Sequence, residues 1–238
     1  MTVKVKQRPA HKKLRVLCLH GYEQDSAIFR TKLRQHTDSL ADIAEFVFVD
    51  APNEMQPYDT SGVDNMARAA AVKSGETLNR VIRGWYGLKS AEPERVCGLE
   101  TSIAYLTTVL NEQGPFDGIF GFSQGKCGLM AGVMCALLEN RYEALGKKCA
   151  HPPFAFAIIA SGYMLSDSKW THLYERPLST PSLHMYGILD SYIHVSKSID
   201  LCRVYSQSAE LSTHGGHFVS KSPEAIKTVF NFVAQFAA

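Results

Sequence analysis

Several features that define other protein classes are missing from this chain of 238 residues. No apolar run approaches the roughly 18 residues that cross a membrane, and the N-terminus lacks the apolar core of a secretory signal. The formal net charge is only +2, which argues against a nucleic-acid partner or a membrane surface held by bulk charge. We therefore expect a cytoplasmic protein without a membrane span, with nuclear and organellar locations left open.

Paired cysteines are also missing, because the six cysteines are scattered and no two of them form a CxxC pattern. Disulfide frameworks and zinc sites both depend on recurring cysteine spacings. We therefore expect reduced, buried thiols of an intracellular protein and no metal site.

What the chain does have is enough apolar sequence for a sizeable core, since 45% of its residues are hydrophobic. No internal repeat, low-complexity segment or linker divides it, so we predict a single domain over residues 1–238. Six lysines and arginines fall within residues 1–22, before the first acid at Glu23. We interpret residues 1–13 as a solvated basic arm; contact with an anionic surface, or targeting to an organelle, is the alternative.

Strand-like apolar stretches alternate with helical stretches along most of the chain. Strands are predicted at 14–19, 46–49, 118–120, 154–160, 182–186 and 210–213, and helices at 26–40, 99–113, 195–205 and in the C-terminal segment. This alternation predicts an α/β fold with a mostly parallel sheet covered by helices on both faces. Residues 52–98 break the pattern. Because they are long, rich in turn residues and helical only around 64–73, we interpret them as a lid or substrate loop.

The last helix has a defined start, with Ser222 as the N-cap and Pro223 in the first helical position. Helical periodicity then selects an apolar stripe that would pack against the sheet. The side chains predicted to point inward are Ile226, Val229, Phe230, Val233 and Phe236.

The sequence Gly-Phe-Ser-Gln-Gly at residues 121–125 matches the pattern G-x-S-x-G. A strand-like stretch precedes it at 118–120, and residues 130–138 after it have helical periodicity. Strand, sharp turn and helix form the nucleophile elbow of hydrolytic enzymes, where flanking glycines leave room for the strained turn. We predict that Ser123 is a nucleophile; an ordinary turn serine is the alternative.

A serine hydroxyl is a weak nucleophile until a base takes its proton, and a carboxylate then orients that base. His217 lies in a glycine-rich loop after the last predicted strand, and Asp190 follows the strand before it. Since the carboxyl ends of parallel strands share one rim, we predict that Ser123, Asp190 and His217 meet there. His214 and Asp167 are the rival base and acid. A metal site on His214 and His217 is disfavoured, because no third ligand lies at a suitable spacing.

A nucleophile of this kind needs two backbone N–H groups to stabilise the negative charge that develops on the attacked carbonyl oxygen. One is predicted to be the N–H of Gln124, directly after the serine. The other is expected from the loop after an early strand, where we choose the N–H of Tyr22. His20, in the same loop, is expected to have a structural role.

Taken together, these motifs resemble the eukaryotic family of serine hydrolases within the α/β-hydrolase superfamily, which includes yeast enzymes and the human ovarian-cancer-associated homologue. The resemblance covers about residues 14–236 and is carried by 17–22, 48–52, 83–86, 121–125, 156–163, 184–190 and 216–218. Two residues depart from the family pattern. Lys126 follows the elbow where a small residue is usual, and Ser220 stands where the histidine loop usually has a proline.

The resemblance implies one α/β-hydrolase domain with a Ser-Asp-His triad and no metal or organic cofactor. It also implies small-molecule acyl esters or thioesters as substrates, because family members resemble acyl-protein thioesterases and carboxylesterases. Trp85 and Tyr86 are predicted to line the acyl pocket, with plain core packing as the alternative for Trp85. The competing hypothesis is a ligand-binding or scaffold module with little turnover, since related domains occur fused to other enzymes.

Overall fold

The structure is a computed structural model that describes residues 13–55, 81, 83–89, 92–123, 130–140, 142, 145, 149–165 and 167–237. The strands in this part of the chain are β1 (Leu14–Leu19), β2 (Ala44–Val49), β3 (Asn53–Glu54), β4 (Arg83–Gly84), β5 (Gly87–Lys89), β6 (Glu92–Cys97), β7 (Gly118–Phe122), β8 (Phe156–Ala160), β9 (Ser182–Gly187) and β10 (Ser208–Thr213). Six of them form one sheet in the order β10–β9–β8–β7–β1–β2, and every neighbouring pair in it is parallel. The predicted parallel sheet is therefore confirmed.

The described helices are α1 (Ser26–Ser39), α2 (Leu99–Gln113), α3 (Met130–Asn140), α4 (Val195–Val204) and α5 (Pro223–Ala234). Alternate residues of a strand point to opposite faces of the sheet, and the core divides accordingly. Leu17 and Leu19 of β1 belong to a cluster with side chains of α2, α3 and α4. Val16 and Cys18 belong to a second cluster, with α1 and α5. Helices thus cover both faces, as predicted, and none of these described helices is both long and apolar enough to cross a membrane.

Most boundaries of these elements follow the sequence pattern. β1 and α2 have the predicted limits, and α1 ends one residue earlier than predicted. β2 begins at Ala44 rather than Phe46, because its first two residues extend the parallel ladder with β1. β8 begins at Phe156 rather than Phe154, since Phe156 is the first of its residues to pair with β7.

The last helix begins as predicted and buries Val229 and Val233 as expected, but its inward stripe differs from the prediction at two phenylalanines. Ser222 is its N-cap, and the Ser222 side chain accepts the N–H of Ala225 at 3.1 Å. The prediction was wrong for Phe230, which is exposed, and it omitted Phe232, which is buried. Phe232 packs edge-on against Phe156 of β8. Docking of the helix on the sheet, rather than apolar periodicity alone, therefore selects the inward stripe.

The segment after β2 leaves the central sheet. Its described parts form two antiparallel ribbons, β3 with β4 and β5 with β6. Asn53 of β3 links the first ribbon to α2, because its side-chain amide donates to the carbonyl oxygen of Trp85 at 2.8 Å and to Oγ of Ser102 in α2 at 3.0 Å. The helix predicted at 64–73 lies outside the described residues, as do residues 1–12 of the basic arm.

Three of the cysteines, Cys18, Cys135 and Cys202, are buried free thiols. Burial raises the pKa of Cys135 to about 12, so this thiol stays protonated at neutral pH. The prediction of buried thiols was wrong for Cys97, which is exposed because it ends ribbon strand β6 outside the central sheet, and Cys149 is half-buried. Cysteine type alone therefore did not determine burial.

Candidate active site

Ser123 lies directly after β7, where the chain leaves the sheet. Its N–H still donates to the carbonyl oxygen of Ala160 in β8 at 2.8 Å, while its backbone has a left-handed φ of 47°. Few non-glycine residues adopt such a φ, and the steric cost is on the order of 1–3 kcal/mol. The strand thus ends in a residue whose backbone has the strained conformation typical of a nucleophile elbow. Gln124 and Lys126 lie outside the described residues.

Two hydrogen bonds join Ser123 to side chains from distant parts of the sequence. Ser123 Oγ lies 2.6 Å from Nε2 of His217, which is 94 residues away in the chain. Nδ1 of the same imidazole lies 2.7 Å from Oδ2 of Asp190. A carboxylate only accepts, so Nδ1 carries the proton and Nε2 can accept from the serine hydroxyl. This arrangement can take a proton from Ser123 and stabilise the imidazolium that results.

The carboxylate of Asp190 is kept ionised by its hydrogen bonds. Its side chain is only 1% exposed, and burial by itself would raise its pKa. Hydrogen bonds from His217 and from the N–H groups of Ile193 and Tyr192 outweigh burial, so the pKa of Asp190 lies below its ordinary value. Oδ1 accepts the two backbone N–H groups at 2.8 and 2.9 Å, which leaves Oδ2 for the imidazole.

The loops after β9 and β10, which carry the carboxylate and the imidazole, are joined through their backbones. The N–H of Ile188 donates to the carbonyl oxygen of Thr213 at 2.8 Å, and the N–H of Leu189 donates to that of Gly215 at 3.1 Å. These bonds continue the pairing of β9 with β10 beyond the ends of both strands. The Asp190 carboxylate and the His217 imidazole therefore lie on one hydrogen-bonded unit rather than on two independent loops.

The two rival residues have other surroundings. Asp167 is buried, and its carboxylate accepts the N–H groups of Val96 and Lys169, both at 2.9 Å. His214 is exposed directly after β10. Within the described ranges, no group of three or more His, Cys, Asp or Glu side chains is arranged to hold a metal ion. The structure thus brings Asp190, rather than Asp167, to the imidazole.

The loop after β1 lies beside the serine, because β1 pairs with β7 and Leu19 stands opposite Gly121. Tyr22, the predicted source of a backbone donor, lies in this loop. Gly21 allows the loop to approach closely, since a Cβ at Gly21 would stand 2.9 Å from the Phe122 ring. The first loop therefore packs directly against the residue that precedes Ser123.

His20 braces the same loop. Its Nε2 accepts the N–H of Ala51 at 2.9 Å, and its carbonyl oxygen accepts the indole N–H of Trp85 at 2.9 Å. These bonds give His20 and Trp85 structural roles. Trp85 and Tyr86 are 1% and 0% exposed and belong to the core, which supports core packing rather than pocket lining for both side chains.

Two aromatic rings that were not predicted as site residues contact the imidazole of His217. The ring centroids of Phe122 and Tyr192 both lie 5.2 Å from that of His217. Phe122 is buried, whereas Tyr192 is 48% exposed. A signal was present in the sequence, since Phe122 directly precedes Ser123 and Tyr192 follows Asp190 by two positions. The direction of each ring, however, depends on loop conformation, which sequence position does not specify.

The chain matches a known protein family over most of its length. The family model described as serine hydrolase (FSH1) matches residues 10–229. This chain belongs to the FSH1 serine hydrolase family. The resemblance inferred from the motifs is confirmed, and this chain is by family a serine hydrolase.

The relatives of this chain include proteins named esterases. Esterase OVCA2 of zebrafish (Danio rerio) is 32% identical over 94% of this chain and 97% of its own length. Esterase OVCA2 of Homo sapiens is 30% identical over 96% of this chain and 99% of its own length. The crystal structure of Zea mays acyl-protein thioesterase 2 is similar with a TM-score of 0.62 at 16% identity, covering 98% of this chain and 97% of that one. This likeness concerns the fold and confirms the α/β-hydrolase architecture.

Proposed function

We propose that this chain hydrolyses carboxylic esters or thioesters of acyl substrates, with Ser123 as the nucleophile and an acyl-enzyme as the intermediate. The observation that carries the proposal is the hydrogen-bonded chain from Ser123 through His217 to Asp190, with contacts of 2.6 and 2.7 Å. Membership of the FSH1 family supports it. The relatives named esterases and the structural neighbour named an acyl-protein thioesterase favour ester and thioester bonds.

In the first half-reaction, Ser123 Oγ attacks the acyl carbonyl carbon while His217 Nε2 takes the hydroxyl proton. Asp190 holds the Nδ1 proton and stabilises the imidazolium. The carbonyl oxygen becomes an oxyanion, for which the N–H groups of Tyr22 and Gln124 are the proposed donors. The tetrahedral intermediate then expels the alcohol or thiol, which leaves with the proton from Nε2, and Ser123 remains acylated.

In the second half-reaction, a water molecule takes the place of the leaving group beside His217. Nε2 accepts a proton from this water, whose oxygen attacks the acyl-enzyme. The proton then passes to Ser123 Oγ as the carboxylic acid leaves. Because both half-reactions use the same nitrogen, the orientation of the imidazole governs each of them.

We propose a single domain over residues 1–238 that acts in the cytoplasm on small-molecule acyl substrates, without nucleic acid and without a metal ion or organic cofactor. Residues 52–98 are the proposed lid or substrate loop. They leave the sheet after β2, at the same carboxyl rim as Ser123, where ligands bind in sheets of this kind.

A fluorophosphonate probe, which bonds covalently to an activated serine, tests the nucleophile. We expect wild type to be labelled and Ser123→Ala to remain unlabelled. Ser161→Ala is the matched control, because Ser161 follows β8, is buried and has a φ of 48°, like the serine after β7. This control should be labelled like wild type. Folded wild type that takes no label would overturn the proposal and favour a binding module with little turnover.

A panel of acyl esters and matched thioesters of graded chain length tests the reaction class. Wild type should hydrolyse members of at least one series, and Ser123→Ala should lose at least about 10³-fold in kcat, as removal of a nucleophilic serine does elsewhere. If wild type is labelled by the probe yet hydrolyses nothing in either series, the substrate class is wrong although the nucleophile is right.

A further inference from the structure

We propose that Tyr192 is a positioning residue for His217 and that it acts mainly in the second half-reaction, when the acyl-enzyme is hydrolysed. The inference rests on the proposed function and adds a residue to it. Its starting point is a ring contact. The Tyr192 ring lies 5.2 Å from the imidazole, and the two ring planes are inclined by 40°.

The Asp190 carboxylate that accepts a hydrogen bond from the imidazole also accepts one from the backbone of Tyr192. Asp190 Oδ1 accepts the N–H of Tyr192 at 2.9 Å, while Oδ2 lies 2.7 Å from His217 Nδ1. The Asp190 side chain is 1% exposed, so it is a rigid point of attachment for both. The backbone of Tyr192 is therefore fixed relative to the imidazole, although Tyr192 lies in a surface loop.

The imidazole has a buried neighbour and an exposed neighbour. Phe122 contacts it at 5.2 Å and 39° and also stacks on Phe29, so this contact belongs to the core. Tyr192 is 48% exposed and forms the contact on the solvent side, while the His217 side chain itself is only 17% exposed. Removal of the Tyr192 ring would uncover the imidazole and allow it to tilt towards solvent.

The contact becomes more important after acylation. In the free enzyme the imidazole has two hydrogen bonds, one to Ser123 and one to Asp190. Acylation replaces the hydroxyl proton of Ser123, so the first of these bonds is lost. Until water binds, one hydrogen bond and two ring contacts orient His217. A single hydrogen bond allows rotation about its axis, so the rings contribute more to orientation in the acyl-enzyme than in the free enzyme.

Pre-steady-state hydrolysis of a p-nitrophenyl ester tests this division, because the burst reports acylation and the later steady rate reports deacylation. For Tyr192→Ala we expect deacylation to slow by about three- to tenfold, the effect of one aromatic contact, and acylation by less than about twofold. Both kcat and KM should then fall together, because the acyl-enzyme accumulates. Tyr192→Phe keeps the ring and should restore the wild-type rates.

Phe230→Ala is the matched control, since it removes an exposed aromatic ring from α5 and should leave both rates unchanged. Equal loss of both rates in Tyr192→Ala, or no loss of either, overturns the inference. A Tyr192→Phe variant as slow as Tyr192→Ala also overturns it. Wild type that is neither labelled nor active overturns the proposed function and this inference with it, so the two failures are distinguishable.

Discussion

A Cβ atom on Gly187 would stand 2.2 Å from the carbonyl oxygen of Gly215, in the loop that carries His217. Carbon and oxygen atoms that are not bonded do not approach so closely, so Gly187→Ala must displace this loop. We expect kcat to fall by about 10²-fold, because a displacement of roughly 1 Å at a reacting group has that effect. Steady-state ester hydrolysis measures the loss, and circular dichroism checks that the variant is folded.

Gly132→Ala is the matched control for this substitution. Gly132 lies inside α3, and a Cβ there would meet the Tyr205 hydroxyl oxygen at 3.6 Å, an ordinary contact. Alanine is favoured over glycine in a helix interior by about 0.5–1 kcal/mol. The control should therefore be fully active and at least as stable as wild type. If Gly187→Ala kept the kcat of wild type, the close approach of the Gly215 loop to Gly187 would not be needed for activity.

The left-handed backbone of Ser123, with φ at 47°, predicts a difference between two inactive variants. Glycine adopts this φ without steric cost, whereas alanine does not. We expect Ser123→Gly to be more stable than Ser123→Ala by about 1 kcal/mol, which for a chain of this size raises the melting temperature by about 2–4 °C. Thermal unfolding followed by circular dichroism measures the difference. Equal melting temperatures would show that the turn carries no strain.

Asp190→Asn tests the role of the carboxylate that contacts His217. An amide can donate to Nδ1, which would move the imidazole proton to Nε2 and prevent that nitrogen from accepting the serine proton. We expect kcat to fall by about 10³- to 10⁴-fold with the fold intact. Asp167→Asn, at the rival acid, is the control and should keep kcat within about threefold of wild type. If Asp167→Asn instead had the lower kcat of the two variants, Asp167 would be the carboxylate that orients the imidazole.

The buried imidazole of His36 makes the stability of the fold depend on pH. Its Nε2 donates to the carbonyl oxygen of Ser220 at 2.8 Å, just after the His217 loop, and in the described part of the chain its Nδ1 has no hydrogen-bond partner. Burial lowers the pKa of His36 below its ordinary value of 6.5, a shift that the Ser220 bond opposes and the charge of Lys221 reinforces. The folded state therefore binds fewer protons than the unfolded state. The stability due to the neutral imidazole is complete above pH 6.5 and is lost as pH falls through the lower folded pKa.

Urea unfolding near neutral pH and at about pH 5 measures this dependence. Wild type should lose more unfolding free energy on acidification than His36→Gln, whose amide can donate to Ser220 without taking up a charge. Burial also lowers the pKa of His184 to about 3, but His184 is present in both proteins, so their difference isolates His36. If wild type and His36→Gln lost the same unfolding free energy on acidification, His36 would not be the source of the pH dependence.

Much of this architecture could be predicted because its signals are local. The apolar run of β1, the stripe of α2 and the Ser222-Pro223 start of α5 each lie within one segment. Ser123 could be proposed from the pattern around it. Asp190 and His217 could be proposed because each follows a strand, and parallel strands bring their carboxyl ends to one rim.

Contacts between segments could not be predicted in the same way. Asp167 and Asp190 both follow strands of the sheet, and only the structure pairs one with backbone N–H groups and the other with the imidazole. The contact of Tyr192 with His217 likewise depends on how the loop after β9 bends. Each of these outcomes depends on a few hydrogen bonds between segments, and such bonds produce no periodic pattern in the sequence.

By itself, the amino-acid sequence determined the order of the six strands of the central sheet and of the described helices, and it limited the partners of Ser123 to a short set of candidates. It could do so because apolar periodicity, helix caps and turn glycines act between residues that are close in the chain. Only the tertiary structure decided that Phe232 rather than Phe230 of α5 is buried, which carboxylate meets His217 and which rings contact the imidazole. Those outcomes arise from contacts between segments that are far apart in the chain, such as Asp190 and His217 at a separation of 27 residues, where the geometry of the whole sheet sets the distance.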